Sequence, residues 1–114
     1  MSTAAALLAQ ARDLQAGTGS SRIASWIARA ALEEAVDDLL RAQDCDPGTD
    51  SSMRSRLSCV QSLYADRPEV AEAAEYAWSG LSQASHQHAY LLDAVPSEVA
   101  HLMDLVGRVV SEQH

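Results

Sequence analysis

The residues that could do chemistry are concentrated between positions 83 and 90, in the segment QASHQHAY. Two histidines, His86 and His88, lie between Gln83 and Tyr90. An imidazole titrates close to neutrality, so a histidine at a helix–helix seam can act as a general base. We therefore predict His88 as the candidate catalytic base, with Gln83 as a second candidate catalytic residue that lines the adjacent side of a groove. His86 and Tyr90 are candidate binding residues beside them.

The same residues fall inside the longest helical pattern of the chain, residues 70–95. Apolar or small residues recur there in steps of three and four, which predicts one buried stripe along an α-helix. The stripe consists of Val70, Ala74, Ala77, Leu81, Ala84, Leu91 and Val95. It has a gap at His88, so a second interpretation is a core histidine whose ring nitrogens are hydrogen-bonded by a neighbouring helix.

A metal site has little support in the sequence. Glu98 and His101 form one Glu-x-x-His, whereas a di-iron bundle needs two such motifs and further carboxylates. His86 and His88 are two residues apart and point in very different directions on a helix. We therefore predict no metal and no other cofactor, and we interpret Glu98 and His101 as surface residues.

The two cysteines, Cys45 and Cys59, have no CxxC spacing. The first residues, MSTAAALLAQARDL, include an apolar run too short to span a membrane and have no leading basic region. These features predict a cytoplasmic protein with reduced thiols and no membrane contact. A free cysteine is commonly a buried small hydrophobe, which we expect for Cys59. Alternatively, Cys59 lines a small ligand pocket with His88 and Tyr90.

Length and composition indicate a single globular domain, residues 1–114. Hydrophobic residues make up 47% of the chain, but phenylalanine is absent, so the core must consist of Ala, Leu and Val. Such small side chains bury little surface each, which favours dimerisation. The net charge of −8 disfavours binding to nucleic acid or to an anionic membrane. All eight basic residues are arginine, which indicates a GC-rich genome such as an actinobacterial one.

The periodicity predicts an all-α, up-and-down bundle of four main helices plus a short N-terminal helix. The short helix covers 3–16, and the four main helices cover about 22–43, 53–64, 70–95 and 98–112. The candidate N-caps of the first three are Ser2 or Thr3, Ser20 or Ser21, and Ser51 or Ser52. Pro68 and Pro96 mark the starts of the last two.

The second helix has one unusual residue, Trp26. The predicted core face comprises Ala24, Ala28, Ala31, Leu32, Ala35, Val36, Leu39 and Leu40. Trp26 lies on the other side, between Arg22 and Arg29, and an exposed tryptophan there suggests a surface for a partner. On the same side, Arg29 and Glu33, and then Asp37 and Arg41, are one turn apart, so each pair is predicted to form an ion pair.

Two stretches resemble the small HEPN (higher eukaryotes and prokaryotes nucleotide-binding) domains, in particular the small actinobacterial ones. The similarity covers residues 21–42, SRIASWIARAALEEAVDDLLRA, and residues 74–93 with their SHQHAYLL segment. It implies a helical bundle that forms a homodimer. Active members of the family cleave RNA without metal, using an Arg-x(4–6)-His motif in a cleft shared by two protomers.

This chain has Gln83-x4-His88 where that motif has arginine. Glutamine carries no charge, so stabilisation of a phosphorane transition state is weakened. The resemblance therefore implies a degenerate, non-catalytic member, and we predict a homodimeric protein-binding or assembly module. The alternative is a metal-independent RNase or nucleotide-binding enzyme that uses His88 at a dimer cleft, with an arginine supplied from elsewhere, such as Arg29 or Arg54.

Overall fold

The computed structural model describes residues 2–17, 21–48, 51–85 and 96–112. In these ranges the chain forms five α-helices and no strand: α1 (Thr3–Ala16), α2 (Ser21–Ala42), α3 (Met53–Leu63), α4 (Pro68–Ser85) and α5 (Pro96–Ser111). The predicted all-α bundle is confirmed. The shortest helix is α3, with 11 residues, and α1 has 14. The predicted helix over 70–95 is described as far as Ser85, and its remainder lies outside the described residues.

Local sequence signals explain where the helices begin. The Ser2 hydroxyl accepts a hydrogen bond from the Ala5 backbone N–H at 3.1 Å, which satisfies a donor that the first turn of α1 leaves open. Ser52 does the same for α3 by accepting from the N–H of Ser55 at 3.1 Å. Helix α4 begins at Pro68, because a proline at the first helical position loses no hydrogen bond there.

Helix α2 is the central element of the fold, because it packs against each of the other four helices. Every position predicted for its core face is buried. Most of these side chains are Ala, Leu or Val, so the neighbouring helices can approach closely. The buried apolar side chains of all five helices belong to one cluster. None of the helices in the described ranges combines the length and the apolar character that a membrane span requires.

Long-range contacts give the directions of the helices. Arg22 at the start of α2 contacts Ser85 at the end of α4, so these two helices are antiparallel. Gln15 near the end of α1 donates to the carbonyl of Pro96, the first residue of α5, at 3.1 Å, so α1 and α5 are antiparallel as well. Helices α4 and α5 also run in opposite directions, since Arg67 just before α4 pairs with Glu112 just after α5.

Helices α4 and α5 cross closely at Gly80. A Cβ atom at this position would lie 2.8 Å from both terminal methyl groups of Leu102. The buried Leu102 side chain therefore occupies the space that a Cβ atom would need, and a larger residue at position 80 would have to displace it.

Candidate interaction surface

The predicted catalytic residue and two of the predicted binding residues lie outside the described residues. These are His88, His86 and Tyr90. The core interpretation and the catalytic interpretation of His88 both remain predictions. Gln83 is described: it lies two residues before Ser85, the last described residue of α4, and its side chain is exposed.

Two exposed large apolar side chains, Ile23 and Trp26, are three residues apart on α2. Ile23 is 53% exposed and Trp26 is 57% exposed, as the position of Trp26 opposite the core face predicts. Residues three and four apart share one side of a helix. We define the α2 surface as Arg22, Ile23, Trp26, Arg29, Ala30 and Glu33, of which the last three are half-buried.

Arg22 is fixed at one edge of the α2 surface by the end of α4. Its Nε donates to the carbonyl oxygen of Ser85 at 3.2 Å. The Arg22 side chain stays exposed apart from this contact.

Arg29 lies deeper, at the seam between α2 and α4. The central carbon of its guanidinium is 4.3 Å from the centre of the Trp78 ring, within the range of a cation–π interaction. Trp78 was not singled out in the sequence. Its position follows from the antiparallel packing of α2 and α4. Since Arg22 contacts Ser85, the residue seven positions after Arg22 lies near the residue seven positions before Ser85. These two residues are Arg29 and Trp78.

The predicted pairing of Asp37 with Arg41 is wrong. Asp37 instead forms an ion pair with Arg56 of α3 at 3.2 Å, and both side chains are only about 15% exposed. Arg41 pairs with Asp38 at 3.2 Å. The Asp37–Arg56 pair is favoured over Asp37–Arg41 because it is shielded from water. An exposed ion pair within one helix contributes only roughly 0.3–0.5 kcal/mol to stability.

The expectation for Cys59 is also wrong, since this residue is exposed on α3. Cys45 is the half-buried cysteine and packs against the core. The groove that the structure describes, with a volume of about 840 Å³, does not include Cys59. It lies between α1, α5 and the start of α4, beside small residues such as Ala5 and Ala73.

The parts of the chain that the structure describes hold no group of three or more His, Cys, Asp or Glu residues that could bind a metal ion. Glu98 and His101 are both exposed, as expected for surface residues. The His101 ring lies edge-on to Tyr76, with 6.4 Å between the ring centres.

The chain matches no protein-family model, no curated protein and no solved structure.

Proposed function

We propose that this chain is a non-catalytic protein-binding or assembly module that docks its partner on the α2 surface. The observation that carries the proposal is the exposure of Trp26 beside Ile23 on an otherwise well-packed helix. Burying a tryptophan removes about 150–250 Å² of surface from water, and tryptophan and arginine are enriched among the residues that dominate binding energies.

The surroundings of Trp26 support docking of a protein. Two arginines of the surface are held by contacts with α4, because Arg22 donates to the Ser85 carbonyl and the Arg29 guanidinium lies over the Trp78 ring. A pre-ordered surface loses little conformational entropy on binding. The net charge of −8 opposes electrostatic attraction to a phosphate backbone, which favours a protein over a nucleic acid as the partner.

The proposal is tested by comparing Trp26→Ala with the matched control Tyr76→Ala. Tyr76 is another exposed aromatic residue, 60% exposed on α4. The full-length wild type and both variants are immobilised and incubated with extract of the source cells and with the purified chain itself. We expect the proteins that wild type and Tyr76→Ala retain to be lost with Trp26→Ala. Equal retention by both variants, with unchanged circular dichroism, would rule out the α2 surface.

The RNase activity implied by the HEPN resemblance is a second candidate. Arg22 favours it, because its guanidinium lies beside Ser85, two residues after the Gln83 that takes the place of the motif arginine. Incubation with structured and unstructured RNA separates the two functions. A module leaves RNA intact. An RNase cleaves it, loses activity with Arg22→Ala or His88→Ala, and gains activity with Gln83→Arg.

A further inference from the structure

We propose that the groove between α1, α5 and the start of α4 binds an amphipathic α-helix of another protein, one whose apolar stripe has a basic residue on each flank. We call it the α5 groove, and its residues include Ala5, Ala9, Asp13, Glu69, Ala73 and Gly107. It contains no residue of the α2 surface, so it is a second docking site beyond the proposed function. Its shape and the charges on its two walls support this occupant.

The packing of three helices shapes the α5 groove. Helices α1 and α4 both pack against α5, but within the described ranges they do not contact each other. The gap between them has α5 as its floor, and no residue of α2 lines it. From Ala5 to Asp13 the α1 wall extends for about 12 Å, which is more than two helical turns. A helix laid on α5 between these walls would continue the helix-on-helix packing of the bundle.

Small residues keep the α5 groove open. Ala5 and Ala9 belong to the α1 wall, Ala73 to the α4 wall and Gly107 to the floor. Ala9 is exposed and the other three are half-buried, so their surface is accessible to an apolar stripe of a partner. Burial of that stripe supplies the favourable free energy of docking.

Each wall of the α5 groove carries an exposed carboxylate that forms no ion pair with the described residues. These are Asp13 on α1 and Glu69 on α4. Asp13 lies in the last turn of α1, which has no basic residue. The end of a helix carries a partial negative charge, so a basic group from a partner would be favourable beside Asp13.

The two carboxylates lie at different levels of the groove. Asp13 is level with Asp104 in α5, because the residue before Asp13 pairs with Asp104. Glu69 is level with Glu112, because Arg67 just before α4 pairs with Glu112. Eight residues of α5 separate these levels, a distance of about 12 Å along the helix. The docked helix therefore needs two basic residues about eight positions apart, one on each flank of its stripe.

The two arginines of the groove do not require an acidic occupant. Arg12 donates to Asp104 at 3.4 Å. Arg108 follows Asp104 by four residues on α5, a spacing at which an acid and a later base attract each other, so Arg108 can share this carboxylate. The net charge of −8 attracts a basic partner over longer distances as well.

The charge test measures the binding of a fluorescein-labelled synthetic helical peptide to the full-length chain by fluorescence anisotropy. The peptide has an Ala and Leu stripe and two flanking lysines about eight positions apart. The chain with Asp13→Lys and Glu69→Lys is compared with the chain with Glu72→Lys and Glu75→Lys. Glu72 and Glu75 are exposed acids of α4 outside the groove. Both double variants change the net charge equally, so any general attraction of the peptide changes equally too.

We expect the groove double variant to bind the peptide about tenfold more weakly than wild type does, and the control double variant less than about threefold more weakly. A peptide with glutamates in place of the lysines should bind the groove variant more tightly than the control variant. If wild type did not bind the lysine peptide, or if both double variants lost the same affinity, the inference would be wrong.

A second test fills the groove without a change of charge. Ala9→Trp places a large ring in the groove and should weaken peptide binding at least about tenfold, since the stripe can no longer enter. Gln10→Trp is the control, because Gln10 is the next residue of α1, is exposed and does not line the groove. Trp26→Ala should leave peptide binding unchanged. Binding that survives Ala9→Trp, or that is lost with Trp26→Ala, would overturn the inference.

Discussion

Tyr64 is the residue that ties α3 to the centre of the fold. Its side chain is buried, and its hydroxyl donates to the carbonyl oxygen of Leu39 in α2 at 2.9 Å. The outer face of the ring is covered by Arg67, whose guanidinium carbon lies 5.0 Å from the ring centre. One aromatic side chain therefore joins α2, α3 and the segment that leads into α4.

We predict that Tyr64→Phe lowers the free energy of unfolding by about 1–2 kcal/mol, because it removes a buried hydrogen bond at little change in volume. Urea denaturation followed by circular dichroism measures this difference. Tyr76→Phe is the control, since the exposed Tyr76 should change the free energy by less than about 0.5 kcal/mol. Equal effects of the two substitutions would show that the Tyr64 hydroxyl contributes no net stability.

The sequence predicted the helix ends, and the side of a helix that a residue occupies, better than it predicted contacts between individual side chains. Trp26 was placed opposite the core of α2 and is exposed, because helical spacing alone decides which side a residue occupies. The partner of Asp37 was missed, because Arg56 belongs to another helix and reaches Asp37 only through the packing of α2 and α3. Cys59 was missed since residue type alone does not determine burial.

Helices α4 and α5 pack closely where Gly80 meets Leu102. Gly80 leaves no space for a Cβ atom, because the methyl groups of Leu102 would lie 2.8 Å away. Gly107 on α5 differs: a Cβ there would meet the Nη2 atom of Arg12 at 3.1 Å, and that atom ends a flexible side chain.

We predict opposite outcomes for alanine at these two glycines. Gly80→Ala should destabilise the protein by roughly 1–3 kcal/mol, because overpacking outweighs the gain in helix propensity. Gly107→Ala should be neutral or stabilise by up to about 1 kcal/mol, because Arg12 can move aside. Thermal and urea unfolding of both variants provide the comparison. If the Gly80→Ala variant were more stable than the wild type, α4 and α5 could separate slightly without a loss of stability.

The helix boundaries were predicted within one or two residues where a cap or a proline marks them, as at Ser2, Ser52 and Pro68. The sequence did not predict which helix lies at the centre of the fold. The pattern drew attention to residues 70–95, whereas α2 is the helix that packs against every other one. Periodicity reports how one helix is buried but carries no information on how many neighbours bury it.

In the whole molecule, most side chains of the core are small, and Trp26 lies outside it with an exposed ring. Under the proposed function, a partner covers this ring. If dimerisation buries that surface, folding and association are linked. The stability of the chain then depends on its concentration.

We predict that the melting temperature of the wild type rises by roughly 2–4 °C for each tenfold increase in protein concentration. The same rise is expected for Tyr76→Ala, whereas Trp26→Ala should melt at a temperature independent of concentration. Differential scanning calorimetry over two decades of concentration checks this. A concentration-independent wild type would contradict the linkage.

The exposed thiol of Cys59 adds a redox consequence. If an oxidant such as O₂ removes two electrons and two protons from two such thiols on separate molecules, the disulfide formed joins α3 to α3 and not α2 to α2. This covalent dimer would differ from the assembly proposed at the α2 surface. A reductant would cleave the disulfide and leave an assembly at the α2 surface intact, whereas Trp26→Ala would weaken that assembly and leave the disulfide intact.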